Sequence, residues 1–226
     1  FEPYKGHISI NHQDIKNIDK KILRRHINYL PQQAYIFNGS ILENLTLGGN
    51  SMISQEDILN ACELAEIRQD IERMPMGYQT QLSDGDGLSG GQKQRVTLAG
   101  VMVDEVNILL FDEPLASLDP ATGKTAIELI HQIKEKTNKT IVIIEHRLED
   151  VLHCDVDRII VVDKGEIAAD ITPDELLASN ILEETGIREP LYITALKYAG
   201  CEITPEINPE HIETVKIDSY ESKIKD

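Results

Sequence analysis

Apolar residues along this chain follow two regimes of spacing, and the change between them falls near residue 88. Before it, residues 7–10 and Ile27–Leu30, short stretches that mix apolar and polar residues, read as strands, with a helix between them near Lys20–His26. Ser40-Ile41-Leu42-Glu43 has the spacing of a capping box, and Ile58, Leu59, Cys62 and Ala65 recur at helical intervals after Ser54. Residues 40–87 therefore read as a helical lobe, ended by the turn Met74-Pro75-Met76-Gly77-Tyr78 and a flexible stretch over 83–87.

Beyond residue 88 helices and strands alternate. Helix Gly90–Met102 leads to a strand over 107–112. Asp119 and Pro120 then open a helix whose face carries Ala126, Ile127, Ile130 and Ile133, and strand Thr140–Ile144 follows. Strands apolar on both faces, joined by crossover helices, predict a mostly parallel sheet in an α/β fold. Residues 157–162 and Glu166–Ile171, linked by Asp163-Lys164-Gly165, predict a hairpin, and Thr172-Pro173-Asp174-Glu175 begins another helix. After Asn180 the periodicity weakens and prolines at 190, 205 and 209 interrupt it, so 181–226 is expected to be an extension or linker, partly disordered, beside a main domain over 1–180.

Charge narrows the partners. The 226 residues carry 39 acidic against 22 basic side chains, a formal net charge of -17, which argues against binding nucleic acid or an anionic lipid surface. No apolar run approaches the roughly 20 residues of a spanning helix, so no direct membrane insertion is expected and membrane contact would go through a protein partner. Cys62, Cys154 and Cys201 are odd in number and unrelated in spacing, which fits reduced thiols better than a disulfide framework or a zinc site.

Two stretches point to phosphate chemistry. In Leu88-Ser89-Gly90-Gly91-Gln92 the glycines are expected to let the backbone turn sharply and approach a ligand, at a helix start whose unpaired amides and dipole favour an anion; Ser89 adds a hydroxyl. The run Ile108-Leu109-Leu110-Phe111 ends in two carboxylates, Asp112 and Glu113. In a parallel sheet, active groups gather at the carboxyl ends of strands, where Gln32, Asp112, Glu113 and His146 all fall. Each has a plainer reading alone: a solvated glutamine, a strand end reaching water, a structural histidine. Their order around the glycine motif favours function. No G-x-x-x-x-G-K-[ST] occurs among these residues; Gly123-Lys124-Thr125 lacks the required first glycine, Leu118 standing in its place.

LSGGQ at 88–92, ILLFDEP at 108–114, Ser117-Leu118-Asp119 and His146 resemble the signature motif, Walker B, D-loop and switch histidine of ATP-binding cassette (ABC) transporter ATPases. The resemblance implies a P-loop NTPase-like ABC core with a helical subdomain over about 40–87 and with ATP and Mg²⁺ as cofactors. Residues 1–10 resemble the strand that follows a Walker A helix, so the N-terminal P-loop part is expected to be missing and an apolar sheet edge left unpaired. By the same resemblance Asp112 and Gln32 meet Mg²⁺, Glu113 is the general base, and Gln32 and His146 attend the attacking water and the γ-phosphate. Ser89, Gly90, Gly91 and Gln92 bind the nucleotide of a partner, and Asp119 couples the two halves. The implied partners are a second ABC ATPase domain, arranged head to tail, and a transmembrane transporter subunit, with the chain peripheral at the cytoplasmic face of the plasma membrane.

The resemblance divides. Residues 1–95, with INYLPQQAYIFNGSILENLTLG, are most similar to bacteriocin or competence-peptide exporter cassettes; residues 96–200, with IVIIEHRLEDVL, resemble energy-coupling-factor importer ATPases. Exporters of that kind have Ala-Arg-Ala where this chain has Ala99-Gly100-Val101. A hybrid is therefore expected, and either ATP hydrolysis driving transport or a non-catalytic remnant that donates LSGGQ to a partner's ATP is consistent with the motifs. A DNA-repair type cassette is disfavoured by the acidic balance and the lack of a coiled-coil pattern.

Overall fold

The structure is a computed structural model that describes residues 6–32, 35–46, 53–83, 87–103, 106–116, 120–211 and 215, with the backbone alone at 120–122. In chain order the strands are β1 (Ser9–Ile10), β2 (Gln13–Asp14), β3 (Ile27–Leu30), β4 (Gly39–Ser40), β5 (Gln81–Leu82), β6 (Ile108–Asp112), β7 (Thr140–Ile144), β8 (Ile159–Asp163) and β9 (Glu166–Ile171). The helices are α1 (Lys20–His26), α2 (Ile41–Leu45), α3 (Gln55–Leu64), α4 (Arg68–Glu72), α5 (Gly90–Met102), α6 (Pro120–Lys136), α7 (Leu148–Val151), α8 (Pro173–Ala178), α9 (Ile181–Thr185) and α10 (Leu191–Tyr198). Two compact units result: Phe1–Ser117 with Gln132–Ile144, and Leu118–His131 with Glu145–Asp226.

In the first unit β3, β6 and β7 form a parallel sheet in that order, Leu30 opposite Phe111 and Asp112 opposite Ile144. The middle strand buries Leu109 and Phe111. β7 has the same apolar composition but pairs on one side only among the described residues, and Val142 and Ile144 are 43% and 55% exposed. The strand expected over 7–10 is shorter than that stretch. Asn11 and His12 both adopt positive φ (48° and 64°), turning the chain back into a β1–β2 hairpin.

The helical lobe is closed on itself by β4 pairing antiparallel with β5. Its helices start as the local pattern dictates: Ser40 and Ser54 cap α2 and α3, with Glu43 and Asp57 returning the bond. Ile41, Leu45, Cys62, Ile67 and Ile71 are fully buried in this unit, as is Val96 of α5. Burial pushes the Cys62 thiol up to about 11, leaving it an unreactive apolar filler. At Gly100 the backbones of α5 and α2 approach so closely that a Cβ would sit 3.1 Å from the Asn44 carbonyl oxygen. Asn44 is itself buried; it accepts the Phe37 N–H and donates to the carbonyls of Phe37 and Ser40, pinning 37–40 to α2.

The second unit is built on the β8–β9 hairpin, whose Lys164-Gly165 turn has φ 48° and 82°. The weak periodicity after Asn180 predicts a linker there; the structure has α9, α10 and a 3-10 turn at Pro205–Ile207. These elements are held by burial rather than by their own pattern: Leu182, Ile193, Leu196 and Ile203 join Leu176, Leu177, Val161 and Ala169 in one apolar cluster. Of the stretch 181–226 expected to be partly disordered, the residues beyond 211 other than Val215 lie outside the described ones.

Candidate functional site

The parallel sheet brings three of the expected residues together in the first unit. Gln32 follows β3, Asp112 ends β6, and Glu113 is the next residue. Gln32 donates through Nε2 to Glu113 Oε2 at 2.9 Å, which leaves its amide oxygen as the atom able to meet a cation or a water. Glu113 has φ 47°, left-handed backbone that a non-glycine residue adopts at a cost, and its N–H donates to the Ile144 carbonyl at 2.8 Å. The strained residue of the turn is thus the one carrying the expected base.

Two supports were invisible in the sequence pattern. The Tyr29 hydroxyl donates to Asp112 Oδ2 at 2.7 Å, and that bond to a carboxylate pushes the phenol above its ordinary range. Gln94 of α5 donates to the Pro114 carbonyl at 3.0 Å and so ties the signature helix to the turn after β6. Both pairs join residues far apart in sequence, on strands or helices whose neighbours no local spacing specifies. The Asp112 carboxylate and the Gln32 amide oxygen are hard oxygen donors, suited to an ion such as Mg²⁺ that keeps most of its waters and leans on phosphate.

Ser89 caps α5, accepting the Gln92 N–H through Oγ while Gln92 Oε1 accepts the Ser89 N–H. Gln92 also donates to Asp70 of α4 at 3.3 Å. Gly90 and Gly91 do not make the sharp turn expected of them: they are the first two residues of α5, with no positive φ. What their lack of a side chain provides is access, since a Cβ on either would meet nothing within 4 Å, above amides that have no partner inside the helix. S-x-x-Q is a capping-box spacing and announced this.

His146 lies in the second unit, exposed, between Glu145 and Arg147. The Arg147 guanidinium is 2.8 Å from Asp150 Oδ2 and 3.9 Å from Glu145 Oε1. Asp119, with Ser117 and Leu118, lies outside the described residues.

Comparison with known proteins agrees with the motifs. The family described as ABC transporter matches residues 1–116, and that described as ATP-binding cassette cobalt transporter matches 179–226. A protein of Photobacterium profundum named as a putative ABC transporter ATP-binding protein is 45% identical over 97% of this chain and 38% of its own length. The lactococcin-A transport/processing ATP-binding protein LcnC of Lactococcus lactis subsp. lactis is 48% identical over 85% of the chain and 26% of its own. The solved structure of a bacterial Atm1-family ABC exporter with ATP bound aligns with TM-score 0.71 and 33% identity, covering 81% of this chain and 32% of the exporter. The chain therefore spans between about a quarter and two fifths of the length of these proteins. No helix among its described residues is long and apolar enough to cross a membrane. Matched over half its length by their family, this chain belongs to the ABC transporters, as part of their ATP-binding domain.

Proposed function

We propose that the chain is the ATP-binding and ATP-hydrolysing part of an ABC transporter, coupling Mg-ATP hydrolysis to transport across a membrane. The observation that carries this reading is the Gln32–Glu113 pair beside Asp112, with Glu113 held at φ 47° by the sheet. Asp112 holds the ion's water shell, with Gln32 as a further oxygen donor. Glu113 takes the proton of the attacking water, Gln32 orients that water, and His146 contacts the γ-phosphate. Bound Mg²⁺ would supply charge neutralisation at the phosphates.

Ser89, Gly90, Gly91 and Gln92 serve the nucleotide of a second ABC ATPase domain, met head to tail, with Asp119 coupling the halves. The domain over 1–180 works beneath a transmembrane partner at the cytoplasmic face of the plasma membrane, and 181–226 extends it. A second reading, donation of the signature without hydrolysis at this chain's own carboxylates, is favoured by the open start of α5, where a Cβ on Gly90 or Gly91 would meet nothing within 4 Å. Mg-ATP titration of the 226-residue chain, alone and mixed with a complete cassette, tests the proposal. Weak binding alone and turnover in the mixture are expected; micromolar affinity alone, or an inert mixture, overturns the composite site.

A further inference from the structure

Residues 148–156 begin two positions after His146 and are gripped at both ends by the C-terminal segment 189–211. At the front, the N–H of Leu191, the first residue of α10, donates to Glu149 Oε2 of α7 at 3.2 Å. At the back, the Val156 N–H donates to Glu210 Oε1 at 3.0 Å, and the N–H of Glu210 donates to Asp174 Oδ1 of α8 at 2.9 Å. His211 Nε2 stands 3.7 Å from Asp155 Oδ1, and the Tyr192 hydroxyl donates to the Pro209 carbonyl at 3.0 Å. Between the two grips Leu152 is buried in the cluster that Ile193 and Leu196 of α10 complete, and Leu148 and Val156 pack against it.

The grip reaches the neighbours of the histidine through defined contacts. Arg147 supplies the carbonyl that accepts the Asp150 N–H at 3.1 Å, and its guanidinium faces both Asp150 and Glu145, on the two sides of His146. At the back the bond is to the Val156 main-chain amide, so there displacing 189–211 displaces the backbone of 148–156; at the front the amide is that of Leu191, and the tie to α7 runs through the Glu149 side chain.

We propose that Glu149 and Glu210 are positioning residues for His146, through which the C-terminal segment sets the orientation of the turn over 145–147. The functional weight of this rests on His146 being the γ-phosphate contact; the coupling itself does not. A mechanical link of this kind is established by moving one end and reading the other.

The experiment uses the full chain without nucleotide and reads the imidazole Cε1–Hε1 NMR cross-peak of His146, assigned by its loss in His146→Gln, together with amide hydrogen exchange. Glu210→Ala is expected to shift that cross-peak and to speed exchange over 145–156 about tenfold, the scale of one lost hydrogen bond. Glu210→Gln, whose amide oxygen still accepts the Val156 N–H, restores both. Glu149→Ala, at an exposed position, shifts the peak even if Glu210→Ala fails to fold. An unmoved cross-peak in both alanine variants, or faster exchange confined to 189–211, overturns the proposal. Because no nucleotide is present, a wrong reading of the ATP site would leave these results intact and would show only in turnover.

Discussion

The turn that follows β6 and the turn over 145–147 that follows β7 in sequence carry the carboxylates and the histidine proposed above to serve a phosphate, and they are supported from different parts of the chain. Asp112, Glu113 and the Pro114 after them are tied by Tyr29 of β3, Gln32 just beyond it and Gln94 of α5, with strain stored at Glu113. The turn of His146 leans on Arg147 and, through α7, on residues some forty to sixty positions later; the bonds of both turns lie at exposed or half-buried sites, and what differs is the segment that supplies them. Preorganised dipoles and carboxylates are effective when they need not move. A group whose support comes from a later segment can be moved with that segment. On the proposed function, the difference gives chemistry to the first turn and signalling to the second.

The largest expected effect decides which turn limits turnover in a pair with a complete cassette. Ser89→Arg places a bulky side chain at the open start of α5 and should abolish the remaining activity. Glu113→Gln in this chain should matter much less, although loss of a well-placed base usually costs about 100-fold or more. The base of this chain would face a site without a phosphate loop from these residues. Measuring ATP turnover of the two mixed pairs checks it, and a greater loss from Glu113→Gln would move the chemistry to this chain's own carboxylates.

A second substitution removes the support of the first turn while sparing the other. Gly100→Arg, the residue that exporter cassettes carry there, would press on the Asn44 carbonyl and is expected to cost roughly 2–3 kcal/mol by overpacking. Exchange should rise over 37–46 and 90–116, where Asn44 and Gln94 act, and stay unchanged over 173–203. Uniform loosening of both units would remove the distinction drawn between the turns.

Smaller again is the strain at Glu113. Valine at φ 47° is poorly tolerated whereas asparagine accepts left-handed backbone, so Glu113→Val should be about 1–2 kcal/mol less stable than Glu113→Asn in urea titration. Equal stabilities would mean that the turn is not strained.

How much of this was legible follows the range of each interaction. The caps at Ser40, Ser54 and Thr172, the signature helix and the strands β3, β6 and β7 are local patterns, and the chain adopts them as read. Gly90 and Gly91 suggest a turn by their motif, but the stronger local signal is S-x-x-Q, which makes a capped helix of the same residues. Tyr29 on Asp112 spans 83 positions and Gln94 on Pro114 spans 20, distances at which only tertiary structure chooses partners. α9 and α10, of 5 and 8 residues, are too short to show periodicity and exist because the apolar cluster beneath them does.

The smallest expected effect is a pH dependence peculiar to the second turn's support. Burial raises the Glu210 carboxyl above its ordinary range, with Asp174 and Asp155 adding to the shift and the Val156 N–H and His211 opposing it. A carboxyl whose value is raised on folding binds its proton more tightly in the folded chain. Its contribution to stability is therefore complete below the ordinary carboxylate value and is lost as pH rises through the raised one. Asp170 beside Arg158 and Glu175 in the Thr172 cap are lowered instead, so theirs is lost as pH falls through their depressed values. The two windows lie on opposite sides of about pH 4, the usual carboxylate range. Thermal melts of the parent chain and Glu210→Gln across this interval should diverge on the alkaline side of it, the variant gaining relative stability there, and agree in how they weaken on the acid side. A difference confined to the acid side would mean that Glu210 is held as a stabilised anion, and the back of the grip on 148–156 would then be an ordinary surface ion pair.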